Sequence, residues 1–414
     1  MMTELEKMGQ RAKKAARVLA TAGIIKNIAL NSIADALTEN TKDILDANAI
    51  DLANGKSEGL SDAFLDRLTL TSTSIAAMAD GVRKVASLTD PIESVISGST
   101  LPNGLEVKKI RIPLGVIGMI YESRPNVTAD AAALCLKAGN AIILRGGREA
   151  INSNKCIADL MRKAIKSAGL PEDSVQLVAD TSRESAMELM RLKALDVLIP
   201  RGGAGLIRSV VDNARVPIIQ TGVGNCHIYV DKVCNMKMAA DIIYNAKTSK
   251  PSVCNAVETV LIHKDIADEF LPRLKEKLDQ KNVEIRGCRR TREILGDCVV
   301  PATEEDWWEE YLDYILAVKV VDSIGEALEH IEKYSSGHSE AIVTDSYENS
   351  KRFMREVDAA VVYTNVSTRF TDGGELGLGA EIGISTQKLH ARGPMGIEEL
   401  TSTKYVIYGT GQVR

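Results

Sequence analysis

Hydrophobic residues recur close to one helical turn apart in the N-terminal part of the chain, as at Ile24, Ile28, Ile33 and Leu37. This spacing places side chains on one face of a helix. Asp62 follows a polar, glycine-containing loop, and aspartate is favoured at the start of a helix. We therefore predict helices before residue 93, with Asp62 capping one of them.

The pattern changes between residues 93 and 112, where two β-favouring runs flank the segment LPNGL. The pair Asn103–Gly104 favours a tight hairpin turn. A hairpin that projects from a helical region is suited to pairing with another subunit. We predict that residues 93–112, with a last strand in 401–414, are oligomerisation strands of a homodimer or dimer of dimers.

From 113 to 230 the chain alternates apolar runs with helical segments. The apolar runs predict five strands: GVIGMIY, AIILRG, SVQLVAD, ALDVLIP and VPIIQT. One intervening helix should begin at a Thr128 cap and stop at Gly139. This alternation indicates a mostly parallel sheet covered on both faces, which binds ligands at the carboxyl ends of its strands. A second α/β stretch follows from about 230 to 383.

Composition narrows the class of protein. With 414 residues, 45% of them hydrophobic and 26% charged, the chain fits two or more ordinary globular domains. A net charge of -5 and 4% aromatic residues argue against nucleic-acid binding. No apolar run is long enough to span a membrane, and the N-terminus lacks the apolar centre of a secretory signal. We expect a cytoplasmic protein with no nucleic-acid or membrane partner.

Two glycine-rich loops follow predicted strands. Glycines in RGGAGL, residues 201–206, would let backbone N–H groups approach an anion at a helix start, although glycine at such a turn is often merely structural. RGGRE, residues 145–149, holds two arginines that suit a phosphate such as the 2′-phosphate of NADP. A solvated charged loop is the alternative for this second segment.

Cys254 differs from the other cysteines in its surroundings. The chain has seven cysteines and five histidines with no metal-binding spacing, so we predict reduced thiols and no metal site. Cys135 and Cys156 lie on apolar faces of predicted helices, whereas Cys254 sits in KPSVCNA with Lys247 and Lys250 upstream. Nearby cations lower the pKa of a thiol and make it more reactive. A structural thiol remains the alternative.

The glycine-rich segment 368–386 is a poor helix and a poor strand. We predict an ordered loop that lines a cleft. Leu376, Leu378, Ile382 and Ile384 indicate that the loop is partly buried, whereas a flexible surface loop is the alternative.

Taken together, these stretches resemble the aldehyde dehydrogenase superfamily and, more closely, the family of γ-glutamyl phosphate reductases. The resemblance runs from about residue 113 to the C-terminus and rests on PLGVIGMIYESRPNVTADAAALCLKAGNAIILRGGREA, DVLIPRGGAGLI, TGVGNCHIYVD, NAKTSKPSVCNAVETVLIH, GHSEAIVTD and STRFTDGGELGLGAEIGISTQKLHARGPMGIEELTSTKYVIYGTGQ. It implies an aldehyde-dehydrogenase-like α/β fold with two doubly wound parallel-sheet domains and a small β oligomerisation hairpin.

The resemblance also implies a domain layout. Residues 1–92, 113–229 and 384–400 would form the NADP(H)-binding domain. Residues 230–383 would form the domain of the catalytic cysteine. The oligomerisation strands would lie outside both domains.

The site residues follow from the same resemblance. Cys254 falls on the family's nucleophile. Asn126 is the expected side-chain donor to the oxyanion, with Arg124 sharing that corner. Glu310 matches the position that binds the nicotinamide ribose, and Arg369 is a candidate for the substrate's α-carboxylate. The expected NADP(H) contacts are Arg145, Gly146, Gly147, Arg148, Gly202, Gly203 and Gly205.

One departure from the superfamily bears on the reaction. Aldehyde-oxidising relatives carry a glutamate base where this chain has Gln220. An amide cannot activate water for thioester hydrolysis. We therefore expect NADPH-dependent reduction of L-glutamyl 5-phosphate in proline biosynthesis, with possible transient docking of glutamate 5-kinase. Oxidation of another aldehyde with NAD(P), or a silent scaffold that keeps the fold, are the alternatives.

Overall fold

The structure is a computed structural model that describes residues 2–122 and 124–414. It forms two compact units. The first unit comprises residues 1–221, 377–383 and 395–414, and the second comprises 222–376 and 384–394.

The first unit opens with five helices whose starts are set by side-chain caps. Thr3 and Thr71 each accept a hydrogen bond from the backbone three residues on and form capping boxes. Ser61, not the predicted Asp62, caps the fourth helix, because its hydroxyl accepts the N–H of Phe64. The helices are α1 (Glu4–Leu19), α2 (Ile25–Glu39), α3 (Thr41–Ser57), α4 (Asp62–Leu68) and α5 (Ser72–Ser87).

The apolar periodicity of these helices correctly predicts their type but not the burial of every position. Ile33 and Leu37 are fully buried, as a core face requires. Ile24 and Ile28 are 69% and 51% exposed, because α2 begins only at Ile25 and turns this end outward.

A four-stranded parallel sheet with order β5-β4-β3-β6 forms the core of the first unit. The predicted fifth strand, VPIIQT, is wrong: it makes one bridge, from Ile218 to Leu198, because Pro217 has no N–H to extend a ladder. The elements are β3 (Val116–Tyr121), α6 (Asn126–Lys137), β4 (Ala141–Arg145), α7 (Ile151–Ser167), β5 (Val175–Leu177), α8 (Arg183–Leu189), β6 (Val197–Arg201) and α9 (Ala204–Asn213).

Helix α6 begins two residues before the predicted Thr128 cap. Thr128 is fully buried inside the helix, where its hydroxyl bonds to Tyr121 and donates to Asn154. A buried threonine with two polar partners serves packing rather than capping. The predicted end is confirmed, since Gly139 follows the helix with φ +75°.

The predicted hairpin is present as β1 (Val95–Thr100) and β2 (Glu106–Pro113). Gly104 makes the turn with φ +83°, a backbone conformation that suits glycine. The C-terminal strand β16 (Thr401–Tyr408) pairs with β2 and completes a three-stranded antiparallel sheet. Its role in oligomerisation stays a prediction.

The second unit is built on a seven-stranded parallel sheet with order β10-β9-β11-β8-β7-β12-β13. Strands β7 and β8 are buried at every position, as the centre of a doubly covered sheet requires. The strands are β7 (Cys226–Val230), β8 (Val257–His263), β9 (Glu284–Gly287), β10 (Val300–Pro301), β11 (Ile315–Val321), β12 (Ser339–Val343) and β13 (Val361–Thr364).

Helices connect these strands, and a short antiparallel pair lies near the end of the chain. The helices are α10 (Met236–Thr248), α11 (Lys264–Asp279), α12 (Arg289–Leu295), α13 (Ile324–Tyr334) and α14 (Tyr347–Glu356). The pair consists of β14 (Ile384–Ser385) and β15 (Gly393–Pro394).

The boundaries of the compact units differ from the predicted domain boundaries. The chain enters the second unit at Gly222, not at 230, because β7 already begins at Cys226. Residues 384–394 also belong to the second unit, since β14 and β15 pair there. The functions predicted for the two units stay predictions.

Candidate active site

Cys254 lies in a turn between α10 and β8, with its side chain half-buried. The N–H of Ala256 donates to the carbonyl of Val253, which closes this turn. Cys135 is fully buried in α6, and burial raises the pKa of its thiol. Of these two thiols, only Cys254 is partly exposed, and it lies in a turn rather than inside a helix.

Gly224 approaches the Cys254 turn so closely that no other residue fits. A Cβ built on Gly224 would lie 1.6 Å from the carbonyl oxygen of Cys254. The N–H of Gly224 donates to Oε1 of Glu310 at 2.7 Å. One glycine therefore contacts Cys254 and binds Glu310, and it is a residue that the sequence reasoning did not single out.

Glu310 is half-buried, and burial raises the pKa of its carboxyl group, partly opposed by the Gly224 N–H. The structure thus brings both Glu310 and the carbonyl of Cys254 next to Gly224 within the second unit. The assignment of Glu310 to a cofactor ribose stays a prediction.

Arg369 lies beside Asn255, the residue that follows Cys254. Its guanidinium donates to Oδ1 of Asn255 and, through Nε, to the hydroxyl of Ser249 at 3.1 Å. Nδ2 of Asn255 donates to the carbonyl of Thr371 at 2.9 Å. Asn255, a residue that the sequence reasoning did not assign, therefore fixes the segment of Arg369 against the Cys254 turn.

A cavity of about 710 Å³ adjoins this arginine within the second unit. Its wall presents a cation, hydroxyl and amide groups, and carboxylates. Lining residues include Asn245, Ser249, Ser367, Arg369, Asp372 and Glu375. Such a wall suits a small ligand that carries both an anionic and a cationic group.

Lys247 is paired with a buried carboxylate, which its position in the sequence does not reveal. Its ammonium is fully buried and pairs with the fully buried Glu258, Nζ to Oε2, at 2.5 Å. Burial lowers the pKa of Lys247 and raises that of Glu258 to about 7. The charge of Lys247 is thus balanced locally, and the pair joins α10 to β8 on both sides of the Cys254 turn.

The 368–386 segment is only partly buried, as predicted, but the burial is divided. Ile382 and Ile384 are 3% and 2% exposed, whereas Leu376 and Leu378 are exposed. The middle of the segment, residues 375–378, therefore lies at the surface, whereas Thr368 and Thr371 before it and Ile382 and Ile384 after it are buried.

In the first unit, Gly202 and Gly203 precede α9 after β6. The N–H of Gly203 donates to Oε2 of Glu122 at 3.0 Å, and a Cβ on Gly202 would lie 2.5 Å from the same oxygen. A carboxylate of the chain itself thus occupies the start of this helix. Gly205 has open space around it, so no steric reason demands glycine there.

The two arginines of the RGGRE loop have different surroundings. Arg145 is half-buried and donates through Nη2 to the carbonyls of Thr181 and Ser182, at 2.6 and 2.9 Å. Burial lowers the pKa of its guanidinium, and its Nε is buried with no hydrogen-bond partner in the structure. Arg148 is exposed and pairs with Glu58 at 2.8 Å.

The glycines between them are confined. A Cβ on Gly146 would lie 2.2 Å from Nδ2 of Asn154, and one on Gly147 would lie 2.1 Å from Oε1 of Glu149. Side chains thus approach the backbone of this loop at both glycines.

Asn126 is the first residue of α6, and its amide donates to Oδ2 of Asp130 at 2.9 Å. Burial raises the pKa of Asp130 to about 6, opposed by the bond from Asn126 and the charge of Arg201. Arg124 lies half-buried just before this helix. The roles of Asn126 and Arg124 at an oxyanion stay predictions.

Comparison with known proteins decides the family. The sequence profile of the aldehyde dehydrogenase family matches residues 2–290. A γ-glutamyl phosphate reductase of Clostridium novyi (strain NT) is 60% identical over 405 residues, which cover 97% of each chain. The chain belongs to the γ-glutamyl phosphate reductases of the aldehyde dehydrogenase family.

Other relatives of this reductase family agree. A γ-glutamyl phosphate reductase of Clostridium botulinum (strain Eklund 17B / Type B) is 58% identical over all of both chains. The crystal structure of γ-glutamyl phosphate reductase from Thermotoga maritima superposes with a TM-score of 0.97 at 50% identity and full coverage of both chains. The predicted aldehyde-dehydrogenase-like α/β fold is therefore confirmed.

Membership of this reductase family makes the chain an enzyme and implies a nicotinamide cofactor. The residues of the first unit fit a dinucleotide in two respects. The N–H of Gly203 already binds a carboxylate, so it is able to bind another anion. The buried Nε of Arg145 lacks an acceptor that a ligand could supply.

Residues 2–122 and 124–414 contain neither a metal-binding cluster nor a membrane-spanning helix. No group of three or more histidine, cysteine, aspartate or glutamate side chains is arranged to hold a metal ion. No helix in that part of the chain is both long and apolar enough to cross a bilayer.

Proposed function

We propose that this enzyme reduces L-glutamyl 5-phosphate to L-glutamate 5-semialdehyde and phosphate, with NADPH, through a thioester on Cys254. The observation that carries the proposal is the turn of Cys254: a half-buried thiol, backed by Gly224 and Asn255, in a chain 60% identical to a γ-glutamyl phosphate reductase. This would be the second step of proline biosynthesis, in the cytoplasm.

The first chemical step belongs to Cys254. Its thiolate attacks the acyl carbon of the acyl phosphate, and phosphate leaves with the electrons of the broken C–O bond. A nucleophile that forms a covalent intermediate divides one difficult reaction into two easier ones. Phosphate is a good leaving group, so the step needs little acid assistance.

The tetrahedral oxyanion requires hydrogen-bond donors. The backbone N–H of Cys254 is one, and the family resemblance assigns the amide of Asn126 as another. One such donor is typically worth about 3 kcal/mol. Asn126 would have to share its amide with Asp130, to which it donates in the structure.

A bound NADPH would supply hydride for reduction of the thioester. The thiohemiacetal on Cys254 would then collapse, which restores the Cys254 thiolate and releases the semialdehyde. Gly202, Gly203 and Arg145 would hold the cofactor, and Glu310 its ribose. The exposed Arg148 supports the choice of NADPH, since a guanidinium suits a 2′-phosphate.

Gln220 favours reduction over oxidation. A glutamate in its place would activate water, and hydrolysis would destroy the thioester. An amide leaves the thioester available for reduction.

The cavity beside Arg369 supports an amino-acid substrate. Arg369 is oriented by Asn255 and Ser249, so its guanidinium is held in place before a substrate binds. We assign Arg369 to the α-carboxylate of the substrate.

An Arg369→Lys variant should raise KM for the amino acid with little change in kcat, because a lysine keeps the charge but loses the planar fork.

The deciding experiment runs the reaction in reverse. Purified enzyme with L-glutamate 5-semialdehyde and NADP should form NADPH only when phosphate is present. A panel of other aldehydes with NAD or NADP, without phosphate, serves as the comparison. Faster, phosphate-independent oxidation of any of those aldehydes would replace the proposal by its alternative, oxidation of another aldehyde.

The proposal extends to assembly. We propose a homodimer or dimer of dimers joined through the sheet of β1, β2 and β16, and transient docking of glutamate 5-kinase. Sedimentation of the enzyme with and without residues 401–414 tests the first point, and co-sedimentation with the kinase tests the second.

A further inference from the structure

The Cys254 turn is not held by a sheet ladder or a helix, because it lies between α10 and β8. Its carbonyl is instead held by a second cysteine: Sγ of Cys226 donates to the oxygen of Cys254 at 3.2 Å. Cys226 is the first residue of β7 and is fully buried. The thiol of Cys226 therefore contacts the backbone of Cys254, the proposed nucleophile.

The Cys226 thiol is suited to donation. Burial raises its pKa well above that of an ordinary thiol, and nearby carboxylates such as Glu340 act in the same direction. The group therefore stays protonated and cannot become a nucleophile at neutral pH. A neutral S–H is a weak donor, but it occupies an acceptor of the Cys254 turn from a fully buried position.

His338 lies next to this thiol. Its Nδ1 lies 3.6 Å from Sγ of Cys226 and 2.8 Å from Oγ of Ser339. Both His338 and Ser339 are fully buried at the start of β12. The strand beside β7 thus supplies polar partners behind Cys226.

The chain of bonds then returns to the nucleophile. Oγ of Ser339 lies 2.6 Å from Oγ1 of Thr371. The carbonyl of Thr371 accepts Nδ2 of Asn255, the residue after Cys254, at 2.9 Å. The contacts form a closed ring that starts and ends at the peptide joining Cys254 to Asn255.

We propose that Cys226 is a positioning residue for the nucleophile, and that His338, Ser339 and Thr371 hold it in place. By fixing the carbonyl of Cys254, the ring sets the orientation of the peptide plane and hence of the Cys254 side chain. The proposal rests on the proposed function only in taking Cys254 as the nucleophile. A buried hydrogen-bond network restricts the geometry of the groups that it joins.

Substitutions at Cys226 separate the effect of its hydrogen-bond donor from the effect of its volume. Cys226→Ser keeps an O–H donor, whereas Cys226→Ala and Cys226→Val remove the donor, and valine retains most of the volume. Thr371→Val interrupts the far side of the ring without touching Cys226. Cys135→Ala, a buried thiol of the first unit, is the matched control for the loss of a core thiol.

Three quantities are measured for each variant: the rate of phosphate release in the first turnover, the rate of NADPH oxidation, and the alkylation rate of residue 254 by iodoacetamide, followed by peptide mass spectrometry. We expect Cys226→Ala and Cys226→Val to slow phosphate release and alkylation by about fivefold to tenfold, the loss of one hydrogen bond. Cys226→Ser should recover most of both rates, and Thr371→Val should lose about twofold to threefold. Cys135→Ala should change neither rate.

Rates of phosphate release and alkylation within twofold of the parent in both Cys226→Ala and Cys226→Val would overturn the proposal. So would an equal loss in Cys226→Ser, since volume and not donation would then decide. The double variant Cys226→Ala/Thr371→Val should lose less than the product of the single losses, because both interrupt one ring. Failure of the proposed function is separate: it would appear as no phosphate release in the parent, and the alkylation rates would still test the ring.

Discussion

The turn of Cys254 and the loops predicted to bind the cofactor are both irregular segments rich in small and polar residues, yet they are held in different ways. The Cys254 turn is fixed by buried partners, namely Gly224, Cys226 and Asn255. The loops of the first unit are held at exposed positions by carboxylates. Glu122 binds the N–H of Gly203, and Glu58 pairs with Arg148.

The difference corresponds to the two tasks that we propose. A covalent nucleophile must keep one geometry, so its partners are buried and cannot be exchanged for water. A cofactor that binds and dissociates must displace the side chains that accept hydrogen bonds from the loop in its absence. Exposed carboxylates are suitable occupants, because a surface ion pair is worth only about 0–1 kcal/mol and is easily displaced.

Removal of the thiol of Cys254, the proposed nucleophile, should have the largest effect on activity. We expect Cys254→Ser to lower kcat by at least about 10³-fold, because an alcohol is a far weaker nucleophile than a thiolate. NADPH affinity, measured by fluorescence titration, should stay nearly unchanged, since the cofactor loops are in the other unit. Substantial turnover in this variant would remove Cys254 from the mechanism.

Gly224→Ala tests the close contact behind the nucleophile. The new Cβ would meet the carbonyl of Cys254, a backbone atom that can move only if the turn moves. We expect about a hundredfold loss of kcat and a loss of about 2–4 kcal/mol in stability, the cost of overpacking. Gly81→Ala, in α5 with open space around it, is the control and should gain about 0.5–1 kcal/mol. Equal activities of the two variants would contradict the role of Gly224.

Asp130 tests how the site in the first unit depends on pH. Its folded pKa of about 6 lies above its unfolded value, so the folded state binds the extra proton between the two. The stability that Asp130 contributes should therefore fall as pH rises from about 4 through 6. Asp130→Asn should remove this fall and be more stable than the parent by about 2 kcal/mol at pH 7, but not at pH 4. Denaturant unfolding of parent and variant at both pH values measures this, and a difference between them that does not grow from pH 4 to pH 7 would show that burial does not dominate.

Arg148 and Glu58 give the smallest expected effects and test displacement directly. Arg148→Ala should weaken NADPH binding by about tenfold and NADH binding much less, because only NADPH has the 2′-phosphate. Glu58→Gln frees Arg148 and should tighten NADPH by about twofold to threefold. Titration with both cofactors measures this, and equal losses for NADPH and NADH in Arg148→Ala would exclude the 2′-phosphate assignment.

Much of the fold was predictable because periodicity and turn chemistry are local. The Asn103–Gly104 turn, the end of α6 at Gly139 and the strand β16 all follow from neighbouring residues. The two errors have causes that the pattern of hydrophobic and polar residues does not show. Pro217 interrupts an apolar run that otherwise predicts a strand, and Thr128 has its partners in other elements.

The sequence by itself determined the two α/β regions and, through resemblance, the family and the importance of Cys254. Only the tertiary structure decided which residues surround that cysteine. Gly224, Cys226 and Thr371 are each distant from Cys254 along the chain. Cys226 reaches the Cys254 turn because the parallel strands β7 and β8 begin side by side, and Thr371 reaches it through Asn255. Likewise Lys247 is a nearby cation in sequence, but its burial against Glu258 decides where its charge acts.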